Sequence, residues 1–155
     1  MPDSDAFYSL LSTTRSIRRI KDTPIEKEVL ERICQAAIWA PSGGNRQPWR
    51  LIVVQDQELK AQLSALYVAE WDLYVDFNLK KLGQQPPEVL EKVRAQFGTG
   101  TDLAHGLADI PAVAIFVHDP SALYVTDAHL GRHPVVGGAS LYPAVQNFLL
   151  AAQIG

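Results

Sequence analysis

The side chains best suited to binding chemistry lie in one polar stretch, residues 40–49, whose sequence is APSGGNRQPW. Its two prolines and two glycines disfavour regular structure, so the stretch predicts a loop. Such a loop exposes successive backbone N–H groups, and Asn45 and Gln47 each carry an amide that both donates and accepts hydrogen bonds. These groups suit a planar heterocycle whose edge alternates donors and acceptors. The alternative is an ordinary polar connector between a helix and a strand.

A second cluster of polar side chains lies near the N-terminus, where residues 13–19 read TTRSIRR. The planar fork of arginine matches phosphate oxygens, and serine adds an O–H donor. Arg15 and Arg18 are three residues apart and would converge if the segment turned helically. The cluster therefore predicts a phosphate grip, with a solvated basic turn that pairs with local acids as the alternative.

Composition restricts the class of protein. The chain has 155 residues, of which 47% are hydrophobic and 20% charged, which is typical of one globular domain over residues 1–155. Its 14 basic and 17 acidic residues give a net charge of −3, so no global field attracts nucleic acid or an anionic membrane. No apolar run reaches the length of a membrane span. We expect neither nucleic acid nor membrane as a partner.

The thiol and imidazole groups predict no metal centre. Cys34 is the single cysteine, which excludes an internal disulfide and a thiolate cage and favours a reducing, cytoplasmic location. His129 and His133 are four residues apart, a spacing that would suit a metal on a helix, but the intervening Gly131 and the following Pro134 argue against a helix there. We expect two surface histidines and a core thiol.

Hydrophobic periodicity predicts the elements that position these groups. A helix is expected over about residues 4–13, and a second opens at residues 23–26 with a threonine cap and proline in its first turn. Further helices are expected from 57 to about 82, over 87–97 with Gly98 and Gly100 closing it, and over 140–154; buried strands are expected over 49–55 and 112–118. Strands separated by helices indicate an α+β or α/β sheet. The first strand, apolar on both faces, is expected at its centre.

Two helices carry more apolar surface than a small core requires. The long helix holds Tyr67, Trp71, Tyr74 and Phe77, which serve either core packing or a hydrophobic wall over a flat ligand. The last helix is apolar over most of its circumference, so we expect it to be covered, by a partner or by further chain.

Three stretches, in this order, resemble the FMN-dependent nitroreductase family. They are RSIR at residues 15–18, the loop sequence APSGGNRQPW followed by a strand, and QNFLLAA at residues 146–152. The likeness covers nearly the whole chain. It implies an α+β, nitroreductase-like α/β sandwich in which helices flank a central, mostly antiparallel sheet, and it implies a dimer.

The resemblance also implies roles for particular residues. In that family the basic motif holds the phosphate and ribityl end of FMN, and the loop comes from the other subunit of the dimer and lines the isoalloxazine. The residues so implied as cofactor-binding are Arg15, Ser16, Arg18, Pro41, Ser42, Asn45 and Gln47. Many members carry a basic residue where this chain has Thr14. Members also usually continue further, so we expect the chain to lack a C-terminal strand and an arm that reaches the partner.

The implied function is an FMN-dependent oxidoreductase that takes hydride from NADH or NADPH and passes it to a nitroaromatic, a quinone or a similar flat acceptor. Its implied assembly is a homodimer. Because the flavin carries the hydride, no catalytic acid–base pair or nucleophile is required, and the sequence shows no Ser-His-Asp motif. Two alternatives remain open: a flavin-binding module without turnover, and an anion-binding or interaction domain.

Overall fold

The computed structural model describes residues 4–122, 125–133 and 138–154. The helices are α1 (Ser4–Thr13), α2 (Lys27–Ile38), α3 (Gln57–Lys81), α4 (Pro87–Gln96), α5 (Gly98–His105) and α6 (Tyr142–Ile154), and the strands are β1 (Trp49–Val54) and β2 (Val113–His118). The chain separates into two compact units. The first contains the described parts of residues 1–15, 25–53 and 114–155, and the second consists of Ser16–Pro24 and Val54–Val113.

In the first unit, helix α6 packs along α2 and also contacts α1. The strands β1 and β2 pair in a two-stranded sheet. The Asp119 N–H, just after β2, donates to the Pro48 carbonyl, just before β1, at 2.9 Å, so the strands run antiparallel. Phe116 of β2 joins sheet and helix, since its ring centroid lies 5.8 Å from that of Trp49 and 5.6 Å from that of Phe148. This aromatic chain holds α6 against the sheet.

The second unit is built around helix α3, which packs against α4 and α5. The Trp71 indole Nε1 donates to Thr101 Oγ1 at 3.0 Å, and its ring meets Phe97 edge-on. A methyl group at Gly100 would lie 2.5 Å from the Trp71 ring, so only glycine allows the two helices this approach. Trp71 therefore serves core packing within this unit. Phe77 is exposed, and the Lys81 ammonium group lies over its ring.

Several predicted elements are confirmed. Helix α1 has the expected bounds, and α3 begins after Asp56, whose carboxylate accepts a hydrogen bond from the Leu59 N–H at 2.9 Å. Helices together with a small antiparallel sheet confirm the α+β class. Within the described parts of the chain, no helix has the length and apolar character needed to cross a bilayer.

Three local expectations are wrong. Helix α2 begins at Lys27 rather than at residues 23–26, because Glu26 is extended (ψ 140°) and makes no side-chain cap. Gly98 and Gly100 do not close a helix; they lie within α5, which the Trp71 contact stabilises. Strand β1 is not central in the described sheet, and Ile52 on one face is 49% exposed.

Candidate functional site

The loop of residues 40–48 leaves α2 and enters β1 through a short 3-10 turn, Gly43–Asn45. In that turn the Asn45 N–H donates to the Ser42 carbonyl at 2.8 Å. Gly44, Asn45 and Gln47 have φ of 58°, 53° and 47°, in the left-handed region. Asparagine tolerates this conformation, but for a residue with a side chain it costs roughly 1–3 kcal/mol and persists only when surrounding contacts enforce it. Such backbone strain is typical of functional sites.

Three hydrogen bonds enforce this conformation. Ser42 Oγ accepts from the Gln47 N–H at 2.9 Å, which closes the strained end of the loop. Ser140 Oγ accepts from the Gly43 N–H at 3.0 Å, which joins the start of the turn to the segment before α6. The Pro48 carbonyl accepts a hydrogen bond from the Asp119 N–H, just after the neighbouring strand β2. The loop is therefore held at Gly43, at Gln47 and at Pro48.

The side chains that this loop presents remain available. Asn45 and Gln47 are exposed, and within residues 4–122, 125–133 and 138–154 neither side-chain amide has a hydrogen-bond partner. Pro41 is also exposed, while Ser42 is half-buried because its hydroxyl serves the loop. Of the four loop residues predicted to bind a ligand, three thus face solvent and one supports the loop.

Two clefts meet at Gln47. One, of about 360 Å³, is mainly apolar and is lined by Gln47 together with Cys34 and Ile38 of α2 and Trp49, Arg50, Leu51 and Val53 of β1. The other, of about 410 Å³, lies at the edge of the sheet and contains Arg46, Arg50, His118 and Asp119. The loop thus has an apolar surface on one side and a charged one on the other, an arrangement that suits a flat, partly polar ligand.

Cys34 borders the apolar cleft but is not activated. Burial raises the pKa of the Cys34 thiol above its ordinary value, and the nearby Glu31 carboxylate raises it further. A raised pKa keeps the group as a neutral thiol at pH 7. The side chain is half-buried rather than fully buried, yet its expected inert role is consistent with this environment.

The basic segment does not turn helically, so the spacing argument for Arg15 and Arg18 is wrong: residues 14–26 have no regular structure. Arg15 belongs to the first unit, and its Nη1 donates to the carbonyls of Ser12 (2.8 Å) and Thr14 (2.7 Å). Ser16 and Arg18 belong to the second unit, where Arg18 Nη1 donates to the Ser16 carbonyl at 3.3 Å. All three side chains are exposed, and each guanidinium has further N–H donors to offer.

Thr14 has a structural use in place of the basic residue common at that position. Its Oγ1 lies 2.5 Å from Gln153 Oε1, and Gln153 Nε2 donates to Thr13 Oγ1 at 3.2 Å. The end of α1 is thereby joined to the end of α6.

Two residues that matter for the loop were not assigned from sequence. Ser140, which bonds Gly43, lies just before a helix, where a serine is ordinarily interpreted as a helix cap. Asn147 Nδ2 donates to the Ala36 carbonyl at 3.2 Å, in the last turn of α2. Since that turn leads directly into the loop, the hydrogen bond from Asn147 stabilises the end of α2 from which the loop starts. Partners 97 and 111 residues away give no local signal.

The nitroreductase family model matches residues 11–153, nearly the whole chain. The chain belongs to the nitroreductase family. This membership confirms the expected family and its fold, and solved structures give independent support. The structure of oxidized iodotyrosine deiodinase bound to FMN and 3-iodo-L-tyrosine superposes on 95% of this chain and 68% of that chain, with a TM-score of 0.67 and 22% identity.

Relatives within the nitroreductase family include proteins with different names. Iodotyrosine deiodinase 1 of Rattus norvegicus is 34% identical over 94 residues, which is 61% of this chain and 32% of that protein. A protein of Archaeoglobus fulgidus named as an NADH dehydrogenase/NAD(P)H nitroreductase is 45% identical over 58 residues, which is 37% of this chain and 33% of that protein. The matched segments span about one-third of the length of these relatives.

Proposed function

We propose that this nitroreductase-family chain binds FMN and takes hydride from NADH or NADPH for delivery to a nitroaromatic, a quinone or a similar flat acceptor. The observation that carries the proposal is the fixed loop, which holds Asn45 and Gln47 at positive φ with their amides exposed. A loop held in place before binding loses little conformational entropy when a ligand arrives. That favours a cofactor site over a plain connector.

The residues present fit the chemical groups of FMN. The flavin ring edge alternates carbonyl and N–H groups, and a primary amide pairs with either kind. In the first unit, the exposed guanidinium group of Arg15 offers donors that suit a phosphate. In the second unit, the exposed guanidinium group of Arg18 and the Ser16 hydroxyl offer donors of the same kind. When bound, the flavin supplies the hydride chemistry, so the chain's own task is to bind it, orient it and leave one ring face open.

The apolar surface of the first unit supports a homodimer as part of the proposal. On α6, Tyr142, Leu149 and Ile154 are 66%, 50% and 71% exposed, and Trp39 after α2 is 73% exposed. Trp39 and Ile154 line one cleft of about 450 Å³ between α2 and α6. Large exposed apolar side chains on neighbouring helices favour an interface, and a second copy is the commonest partner. The loop would then serve the flavin bound by the partner subunit, as the family resemblance implies.

A second candidate reaction is reductive dehalogenation of a halogenated phenol. It is favoured by the 34% identity to rat iodotyrosine deiodinase 1 and by the TM-score of 0.67 with the deiodinase that binds 3-iodo-L-tyrosine. Both reactions use the same cofactor and differ in the acceptor. Halide release from 3-iodo-L-tyrosine, measured beside nitroaromatic reduction, separates them.

The test begins with FMN binding. Titration of the purified chain with FMN is expected to quench flavin fluorescence and to shift the visible absorbance of the flavin. If both signals stay unchanged, the proposal is overturned. The second step supplies NADH or NADPH with each acceptor. Steady oxidation of the nicotinamide supports the oxidoreductase, whereas tight FMN binding without turnover would favour a binding module. A thermal shift with inorganic phosphate but not with FMN would favour an anion-binding domain.

A further inference from the structure

The segment before α6 has a conformation that only glycine adopts readily. Gly138 has φ +84°, and its carbonyl accepts hydrogen bonds from the N–H groups of Leu141 and Tyr142, both at 2.8 Å. A methyl group at this position would lie 2.7 Å from the Tyr142 ring. This turn therefore has a defined geometry, and it determines where Ser140 lies.

Ser140 directs its hydroxyl oxygen at the loop rather than at its own helix. Ser140 Oγ accepts a hydrogen bond from the Gly43 N–H at 3.0 Å, and in the described part of the chain it accepts none from the first turn of α6. A methyl group at Gly43 would lie 3.6 Å from Ser140 Oγ, an ordinary van der Waals distance, so the hydrogen bond and not steric crowding joins the two segments. Capping of α6 does not account for this serine.

The bond acts on the start of the strained turn. Gly43 is the first residue of the 3-10 turn, and the left-handed residues Gly44, Asn45 and Gln47 follow. Ser42 fixes the far end by accepting from Gln47, but it moves with the loop because it belongs to it. Ser140 is outside the loop and next to α6, so it anchors the start of the turn to another part of the fold, as Asp119 anchors the end of the loop at Pro48.

We propose that Ser140 is a positioning residue for the cofactor: through Gly43 it sets the direction in which the Asn45 and Gln47 amides face the flavin ring. This inference rests on the proposed FMN function. Ser140 acts on FMN through the loop, and the expected consequence is a change in flavin affinity and reduction potential that exceeds any change in folding.

The test compares Ser140→Ala with Ser140→Thr, which retains the acceptor oxygen. Ser12→Ala is the control, because Ser12 Oγ also makes a hydrogen bond with the backbone, as donor to the Ser9 carbonyl at 3.1 Å, but on exposed α1. In Ser140→Ala, loss of one hydrogen bond should speed exchange of the Gly43 amide and raise the FMN dissociation constant by about 10-fold, with a shifted flavin potential. Ser140→Thr should restore all three values, and Ser12→Ala should match the wild type.

Two results would contradict the inference. Faster Gly43 exchange with unchanged affinity and potential would make the bond purely structural, and unchanged exchange would mean that the bond does not hold the loop. If Ser140→Ala does not fold, Ser140→Cys, with similar volume and a weak acceptor, takes its place under the same criteria. Failure of the proposed function is seen separately, because then the wild type itself does not bind FMN.

Discussion

The Ser42 hydroxyl accepts a hydrogen bond from the Gln47 N–H at 2.9 Å, across five residues of the loop. This bond stabilises Gln47 at φ +47°, a conformation that a glutamine does not favour by itself. It also occupies one acceptor position of a serine predicted to touch the cofactor. Ser42 therefore has its O–H donor left for a flavin, while Asn45 and Gln47 offer complete amides.

Asn45→Gly tests the ring-edge assignment without steric conflict in the folded loop. Glycine adopts φ +53° without strain, so the substitution removes the side-chain amide at no steric cost. We expect the FMN dissociation constant to rise roughly 10-fold, the effect of one lost hydrogen bond in a defined site. Gln84→Gly, at an exposed position in the connector after α3, is the matched control. Unchanged affinity together with an unchanged reduction potential would assign Asn45 to loop conformation alone.

Arg18→Ala is expected to weaken FMN binding more than Arg19→Ala, because the family motif includes Arg18 and not its neighbour. A lost charge-assisted contact to phosphate corresponds to about 1.5–3 kcal/mol of binding free energy. Both side chains are exposed, so the effect should shrink as ionic strength rises. Isothermal titration at two salt concentrations measures it. Equal dissociation constants for the two variants would contradict the phosphate assignment.

Asn147→Ala is expected to lower stability, since its amide donates to the Ala36 carbonyl in a part-buried position. The loss should be about 1 kcal/mol, the usual net value of such a bond, or roughly 2–4 °C in the thermal midpoint for a chain of this size. Its neighbour Gln146 is exposed and provides the control, as Gln146→Ala should stay within about 0.5 kcal/mol of the wild type. Equal midpoints would show that the bond contributes nothing.

The raised pKa of Cys34 makes its reactivity depend on pH. The folded state binds the thiol proton more tightly than the unfolded state does. The contribution of this difference to the free energy of unfolding is therefore present below the unfolded pKa and is lost as pH rises through the folded pKa. Alkylation by iodoacetamide as a function of pH should give an apparent pKa above the ordinary 9.0. Glu31→Gln should lower that pKa only in part, because burial is the larger cause, and Glu28→Gln should leave it unchanged. An apparent pKa at or below 9.0 would contradict the assigned environment.

Leu149→Glu tests the proposed dimer surface on α6. A charge at the centre of an apolar interface is costly to desolvate, so the variant should sediment as a monomer at concentrations where the wild type is a dimer. Leu130→Glu is a matched control, because Leu130 is 53% and Leu149 50% exposed. A wild-type chain that sediments as a monomer at micromolar concentration would contradict the surface directly.

Local rules predict much of this chain. Hydrophobic periodicity locates α1, Asp56 marks the start of α3 by capping it, and prolines and glycines locate the loop of residues 40–48. These features depend on residues within a few positions of one another. The sequence alone therefore determines where the candidate site lies along the chain and which side chains it offers, and its motifs indicate the family that the match over residues 11–153 confirms.

Tertiary contacts decide how those side chains are held. Helix α5 begins with Gly98, a poor helix former, and exists because Trp71 packs against Gly100. The direction of the loop depends on Ser140, 97 residues from Gly43, and on the conformation of Gly138. Neither dependence has a local signature, because each hydrogen bond or packing contact forms only after distant segments have come together. The sequence determined which amides the loop carries, and only the folded chain decided which way they face.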